Sequence, residues 1–356
     1  METDCKRVNR SETTVEAKPA AKQLSSQTTG HMRSLSSALA VLRIGPLLIL
    51  AAMVIVASLL SPYFLTPRNI GNIFAQTAVI ATLALGQYVV ILTRGIDLSV
   101  GSCVALCSVV GAMFFRGGYG SMAVIPAMLA VGLAVGAVNG TVYVYGKLPH
   151  PFIITLATLS ICKGLAFELS GGQTISGMPN FVRFIGHETI GWFPISAVVV
   201  GLIALALYLA QRLVWGRWVY AVGGNPEAAV RSGIAVNAVL VPAYVFSGLT
   251  VAVGAIIVAG RTNAGSGLLG DLGELDSIAS VIIGGASFLG GRGNVGQALI
   301  GAMMIGVLRN ALNLLNVDIF YQLIVIGVVI VIAVESDVLR AYLEGRFHVL
   351  QAASAG

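Results

Sequence analysis

Ten apolar runs separated by short polar segments constrain this chain more than any other feature. They fall at about 44–60, 72–92, 98–115, 121–144, 151–170, 191–211, 238–260, 277–290, 296–315 and 319–335. Most approach the roughly 20 residues that a helix needs to cross a lipid hydrocarbon core. Backbone in lipid must satisfy its own hydrogen bonds, which leaves helices or a closed barrel. The runs are continuous rather than alternating with period two, and that selects helices. The expected fold is all-α, a polytopic transmembrane helix bundle of about ten helices, with eight as the lower bound. The run at 277–290 is short for a simple span and reads equally as a tilted or re-entrant piece.

Composition agrees. Hydrophobic residues make up 56% of the chain and charged residues 10%, where a soluble domain carries about 25% charge. Residues 1–40 stand apart: METDCKRVNRSETTVEAKPAAKQLSSQTTG is polar and has no apolar h-region near its start. They read as a disordered cytoplasmic tail, followed by a transmembrane domain over 41–340 and a cytoplasmic C-terminal tail over 341–356. With the N-terminus inside, the outer loops hold only Arg68, Arg116, Arg183 and Arg261, while Lys163 and Arg309 lie within spans. The other basic residues collect on the cytoplasmic side, as the positive-inside rule requires with both termini in the cytoplasm. That asymmetry accounts for the net charge of +6. No basic stripe is interleaved with aromatics, so no nucleic-acid partner is expected.

Several chemistries are missing. The cysteines Cys5, Cys103, Cys107 and Cys162 form no CxxC pair, and Cys103 and Cys107 read as small buried hydrophobes one helical turn apart. The histidines are scattered, so no metal site or cofactor is expected. GTVYVYGKL (140–148) is superficially like a phosphate-binding loop. It has one residue too many between its glycines, and Leu148 stands where a magnesium-holding Ser or Thr belongs. With no nucleophile–base arrangement either, the chain reads as a non-enzyme. Small residues recur every fourth position at Gly132, Gly136 and Gly140 and at Ala298, Ala302 and Gly306. They read as tight helix packing or as a pore wall.

Ionisable groups near the spans are few. Asp97 lies in VILTRGIDLSVGS (90–102), and Glu274 and Asp276 lie in GELDSIASVIIGG (273–285). A charge in lipid costs about 2.5–3.5 kcal/mol on insertion scales, so each should face a cavity, a partner or a membrane surface. The two stretches each place an Asp before serines, which is the pattern of an internal repeat or of chance in a biased composition.

One polar segment, AVGGNPEAAVRSGIAV (221–236), interrupts two long apolar runs. Asn225 is a good N-cap and Pro226 fits the first helical position. Glu227 suits the positive helix start, Arg231 follows four residues later, and Gly233 is a good stop. Two turns cannot span a membrane. They can present a rigid knob on its cytoplasmic face, or form an ordinary surface loop.

Here the chain resembles a known family. SPYFLTPRNIGNIFAQTA (61–78), VILTRGIDLSVGS (90–102), GGNPEAAVRSGI (223–234), ELDSIASVIIGGASFLGGRG (274–293) and IGVLRNALNLLNVDIFYQLIVIGVVIVIAV (305–334) are similar to signature stretches of the membrane permease subunits of bacterial ABC importers for ribose, galactose, xylose and related monosaccharides. The resemblance implies a subunit of the inner membrane, energised by a separate ABC ATPase subunit and fed by a periplasmic sugar-binding protein. It also implies a second permease copy, with lipid around the pair. It places the ATPase contact on Gly224, Asn225, Pro226, Glu227, Ala228, Ala229 and Arg231. The chain departs from the family at SGLLGDLG (266–273), where a pattern similar to QPTAGxGY is usual. This leaves the sugar open.

A pathway for a neutral sugar should offer hydroxyls and amides and few charges, because a polyol shedding water needs hydrogen-bond partners. Asp97, Ser99, Asn139, Glu274, Asp276, Asn310, Asn313 and Gln322 are the candidates, each of them equally a cap or a packing residue. Two alternatives stay open at this point. One is an ion-coupled secondary transporter of small polar solutes; the other is a membrane anchor without transport.

Overall fold

A computed structural model describes residues 45–355, with side chains described through Glu335 and at Val338, Leu339 and Tyr342. The expectation for residues 1–40 lies outside the described residues. The contacts below belong to the unit Pro46–Asp337.

Helices dominate, and local chemistry sets their ends. The first, α1, covers Gly45–Leu60. Helix α2 (Pro67–Leu92) starts with Pro67 at its first turn and with Thr66 accepting from the Asn69 amide, the arrangement that satisfies an orphan donor. Helix α3 covers Val100–Arg116, α4 covers Ser121–Tyr145 and α5 covers Phe152–Ser170, which ends on left-handed Gly171. Short α6 (Asn180–His187) precedes α7 (Ile195–Ala210), α8 (Val214–Gly224) and α9 (Pro226–Arg231). Then come α10 (Asn237–Thr262), α11 (Gly273–Ile283), α12 (Val295–Leu314) and α13 (Ile319–Ala355). A capping box between Asn294 and Gln297 opens α12. Two strand pairs of two residues each, β1 (Ile175–Ser176) with β4 (Ala264–Gly265) and β2 (Thr189–Ile190) with β3 (Phe193–Pro194), fasten the connections.

Among the described residues, five helices, α2, α4, α5, α10 and α12, are long and apolar enough to cross a membrane, and α7 with α8 adds a sixth if that pair, bent by 79°, is one span. Three more apolar stretches, Gly45–Leu60, Val100–Arg116 and Ile319–Glu335, are shorter. The run at 277–290, open between a span and a re-entrant piece, is helical only in its first half. Helix α11 stops at Ile283 after 11 residues, about 16 Å of rise. Residues 284–294 form a loop in which Gly285, Gly290, Gly291 and Gly293 take positive φ. Apolar composition alone did not distinguish that loop from helix.

Burial shows which helices are central. Of the best apolar window, 83% is buried in α2 but only 22% in α4 and in α5. Helix α4 buries Val124, Met128, Gly132, Gly136, Asn139 and Gly140, a stripe repeating almost every fourth residue. Its glycines lie on α10. A Cβ on Gly136 would run into Tyr244 O, and one on Gly248 into Gly132 O. Likewise a Cβ on Gly306 would meet the Thr77 side chain of α2. Close backbone approach, which only small residues allow in lipid, is what these stripes provide. Cys103, Cys107 and Cys162 are buried free thiols in the same core.

Candidate substrate pathway and polar segment

Asp97 sits in the loop between α2 and α3 and is 2% exposed. Its Oδ1 accepts from the Ser99 amide at 3.0 Å and from the Ser99 hydroxyl at 2.6 Å; its Oδ2 accepts from Ser247 Oγ of α10 at 2.9 Å. Asn139 of α4 donates to Ser99 Oγ at 2.9 Å, and Thr158 of α5 donates to Asn139 Oδ1 at 2.8 Å. Gln87 of α2, with its amide nitrogen toward the carbonyl, donates to Asp97 O at 3.1 Å and accepts from Asp97 N–H at 3.2 Å. Asp97 and its partners thus gather α2, α3, α4, α5 and α10. In low dielectric such a network is favourable because its donors and acceptors are matched.

The other candidates divide. Asp276, in the first turn of α11, is buried, and both of its carboxylate oxygens lie 2.8 Å from Arg309 Nη2 of α12. Half-buried Glu274 places its Oε2 over Gly101 at the start of α3. Asn310 forms a reciprocal amide pair with Asn69 of α2, 2.9 Å in each direction. Gln322 donates to Asn313 Oδ1 at 2.8 Å and to Val317 O at 3.0 Å. The structure therefore unites Asp97, Ser99 and Asn139 in one network and sets the remaining residues among α11, α12 and α13. Asp97 lies in the loop before α3 and Asp276 in the first turn of α11. Asp271, where the chain departs from the family pattern, pairs with Lys163 of α5 at 2.8 Å.

The polar segment is built as its residues dictate. Asn225 accepts from the Ala228 amide at 3.0 Å, Pro226 opens α9, and Gly233 follows it at φ +80°. Glu227 and Arg231 are exposed and 4.0 Å apart, Ala228 is exposed, and Ala229 is buried beneath them. Sequence reasoning missed what holds this segment in place. Arg94, beyond the end of α2, donates from Nε to Gly223 O and from Nη2 to Gly224 O, each at 2.6 Å. Gly291 donates to Leu92 O at 2.9 Å, and a Cβ on Gly223 would strike that same carbonyl. Ser247, Thr158, Gln87 and Asn69 were missed too. A serine or threonine in an apolar helix gives no local signal of a partner far away in sequence.

These features define a class: a multi-pass helical membrane protein with a matched polar network in its core and a capped polar segment at one end. Comparison with known proteins makes the class specific. The chain belongs to the family described as the permease component of branched-chain amino acid transport systems, whose profile matches residues 69–334. The ribose import permease protein RbsC of Bacillus subtilis is 40% identical over 298 residues, 83% of this chain and 92% of that protein. The D-allose transport system permease protein AlsC of Escherichia coli is 38% identical over 297 residues, 82% and 90% of the two chains. The fructose import permease protein FrcC of Rhizobium meliloti is 36% identical over 303 residues, 82% and 84%. No solved structure matches the chain.

Proposed function

We propose that the protein is the transmembrane permease subunit of an ATP-driven importer that moves a monosaccharide, a pentose or hexose, from periplasm to cytoplasm. The observation that carries this reading is the pairing of a rigidly mounted, exposed α9 with a core whose polar groups are mostly hydroxyls and amides, in a chain similar to import permeases for ribose, allose and fructose. The chain lies in the inner membrane with both termini cytoplasmic, as the distribution of basic residues supports. A separate ABC ATPase docks on Gly224, Asn225, Pro226, Glu227, Ala228, Ala229 and Arg231. A periplasmic binding protein delivers the sugar at the opposite end, and a second copy of the chain completes the pathway. Asp97, Ser99, Asn139, Glu274, Asp276, Asn310, Asn313 and Gln322 supply its polar lining. Most of these already hold one another or a neighbour, so a passing sugar exchanges its hydroxyls for those partners.

Reconstitution tests the reading. Proteoliposomes holding the chain, its ATPase and ATP, with the binding protein outside, are expected to take up one of a panel of labelled pentoses and hexoses. The chain alone is expected to take up none. Robust uptake by the chain alone under a proton or sodium gradient would instead establish an ion-coupled carrier.

A further inference from the structure

Three strands of chain meet where α9 begins, and Arg94 is at their centre. Its backbone takes φ +64°, a conformation that side chains other than glycine rarely adopt. The turn is held by Arg94 N–H to Ile91 O at 2.9 Å and Gly95 N–H to Val90 O at 3.0 Å. This conformation aims the guanidinium at the last two carbonyls of α8, Gly223 O and Gly224 O, both at 2.6 Å. Those carbonyls have no intrahelical partner at a helix end, and a cation there complements the helix dipole. An arginine fork meets two carbonyls from two separate nitrogens in a fixed plane, whereas a lysine offers a single ammonium on a flexible stem. On the third side, Cβ atoms on Gly290 and Gly291 would collide with Arg94 and with Gly224. The junction is therefore packed backbone against backbone.

In the other direction, three residues along the chain, lies Asp97. Gln87 holds its backbone, and its carboxylate gathers Ser99 and Ser247. We propose that Arg94 is the joint through which displacement of the α8–α9 segment passes into the α2–α3 loop and the Asp97 network. It touches neither ATP nor sugar; it is a positioning residue for coupling. This rests on the reading that α9 docks on the ATPase. A second tie holds α8 separately: Gln211 donates to Tyr88 OH at 2.7 Å, Tyr88 OH meets Tyr220 OH at 2.8 Å, and Tyr220 donates to Gly293 O at 2.9 Å. Helix α8 thus keeps an anchor when Arg94 is removed, which separates loss of the joint from loss of the fold.

The test compares wild type with Arg94→Ala, Arg94→Gln and Arg94→Lys in proteoliposomes with the ATPase and binding protein, using labelled D-ribose, D-allose and D-fructose as probes. Three quantities are read: ATPase recovered with the permease, stimulation of hydrolysis by sugar-loaded binding protein, and sugar moved per ATP hydrolysed. The alanine and glutamine variants are expected to recover the ATPase at wild-type yield while sugar per ATP falls at least tenfold and stimulation disappears. The lysine variant, which keeps the charge but not the fork, is expected between them and wild type. Sugar per ATP within twofold of wild type in Arg94→Ala overturns the proposal. So does a parallel fall of ATPase recovery and uptake at unchanged sugar per ATP, the signature of a folding residue. Failure of the wild type itself to bind an ATPase would instead strike the functional reading on which the proposal rests.

Discussion

Arg309 Nη2 lies 2.8 Å from both carboxylate oxygens of Asp276, joining α12 to the first turn of α11 inside the bundle. The pair answers the cost of each charge at that depth with the other. The Asp276 side chain is 9% exposed and that of Arg309 25%, so water screens the attraction only slightly. Removing one partner strands the other, which costs about 3–5 kcal/mol for a fully buried pair; partial access of Arg309 to solvent places this case near the lower end.

Asp276→Ala and Arg309→Ala are therefore each expected to lower membrane yield and the melting midpoint in detergent. The double replacement Asp276→Leu with Arg309→Leu is expected to recover much of that loss, because no charge is then stranded. A double variant as unstable as the two single losses added together would show that the ion pair is not what joins these helices.

The glycine stripes give a second expectation. Gly136→Ala and Gly248→Ala add a methyl group where only carbonyl oxygen and backbone lie. Overpacking of this kind costs about 1–3 kcal/mol, and both variants should show lower melting midpoints. Gly201 of α7 has nothing within 4 Å of its would-be Cβ, so Gly201→Ala is expected to match wild type or exceed it slightly. Equal melting midpoints for all three would refute backbone contact between α4 and α10.

The sequence and the structure part company for identifiable reasons. Helices were legible wherever an apolar run exceeded four turns, as in α2, α4, α10 and α12, because lipid leaves the backbone few other choices. The α9 segment was legible down to its cap, since Asn225, Pro226 and Gly233 act on atoms within a few residues. The end of α11 was not. GGASFLGGRG carries Ala286, Phe288 and Leu289 on from the apolar run before it, and its crowd of glycines is also common inside membrane helices. Nor were the partners of the site residues legible. Asn69 and Asn310 are 241 positions apart, and Arg94 reads from sequence only as one more positive charge on a cytoplasmic loop. Pairing across such separations is fixed by which helices touch, and a single sequence does not carry that information.

Asp97 offers a test that separates structure from transport. Ser99, Ser247 and Asn139 all point donors toward it or its immediate partner. In Asp97→Ala the Ser99 and Ser247 donors lose their acceptor, at about 1–3 kcal/mol for each buried group left unsatisfied, and little protein should accumulate. Asp97→Asn keeps an oxygen for Ser99 and turns an amide toward Ser247, whose hydroxyl can accept. It is expected to reach the membrane at near-normal level while uptake falls at least tenfold, because the charge that orients the network is gone. Normal uptake at normal abundance would remove Asp97 from the pathway.

Glu227 tests the polar segment itself. It stands in the first turn of α9 with its side chain 86% exposed, 4.0 Å from Arg231, which is 83% exposed. A pair so open to water contributes only about 0.2–0.5 kcal/mol. Glu227→Lys reverses the charge beside the positive helix start and sets two cations four residues apart, so the local penalty is of the same order. Asn225 still caps the helix, Arg94 still holds Gly223 and Gly224, and Ala229 stays packed beneath. The variant should therefore fold, insert and melt within a degree or two of wild type. A large loss of uptake cannot then come from the bundle; it must come from a surface that meets another chain. The expected outcome is normal abundance in the membrane, with recovery of the ATPase reduced several-fold or hydrolysis no longer stimulated by loaded binding protein. Charge-neutral Glu227→Gln should retain more of both, since it keeps the shape and an acceptor without adding a cation. If Glu227→Lys recovers its ATPase at normal yield and transports at the normal rate, the docking surface does not include this residue.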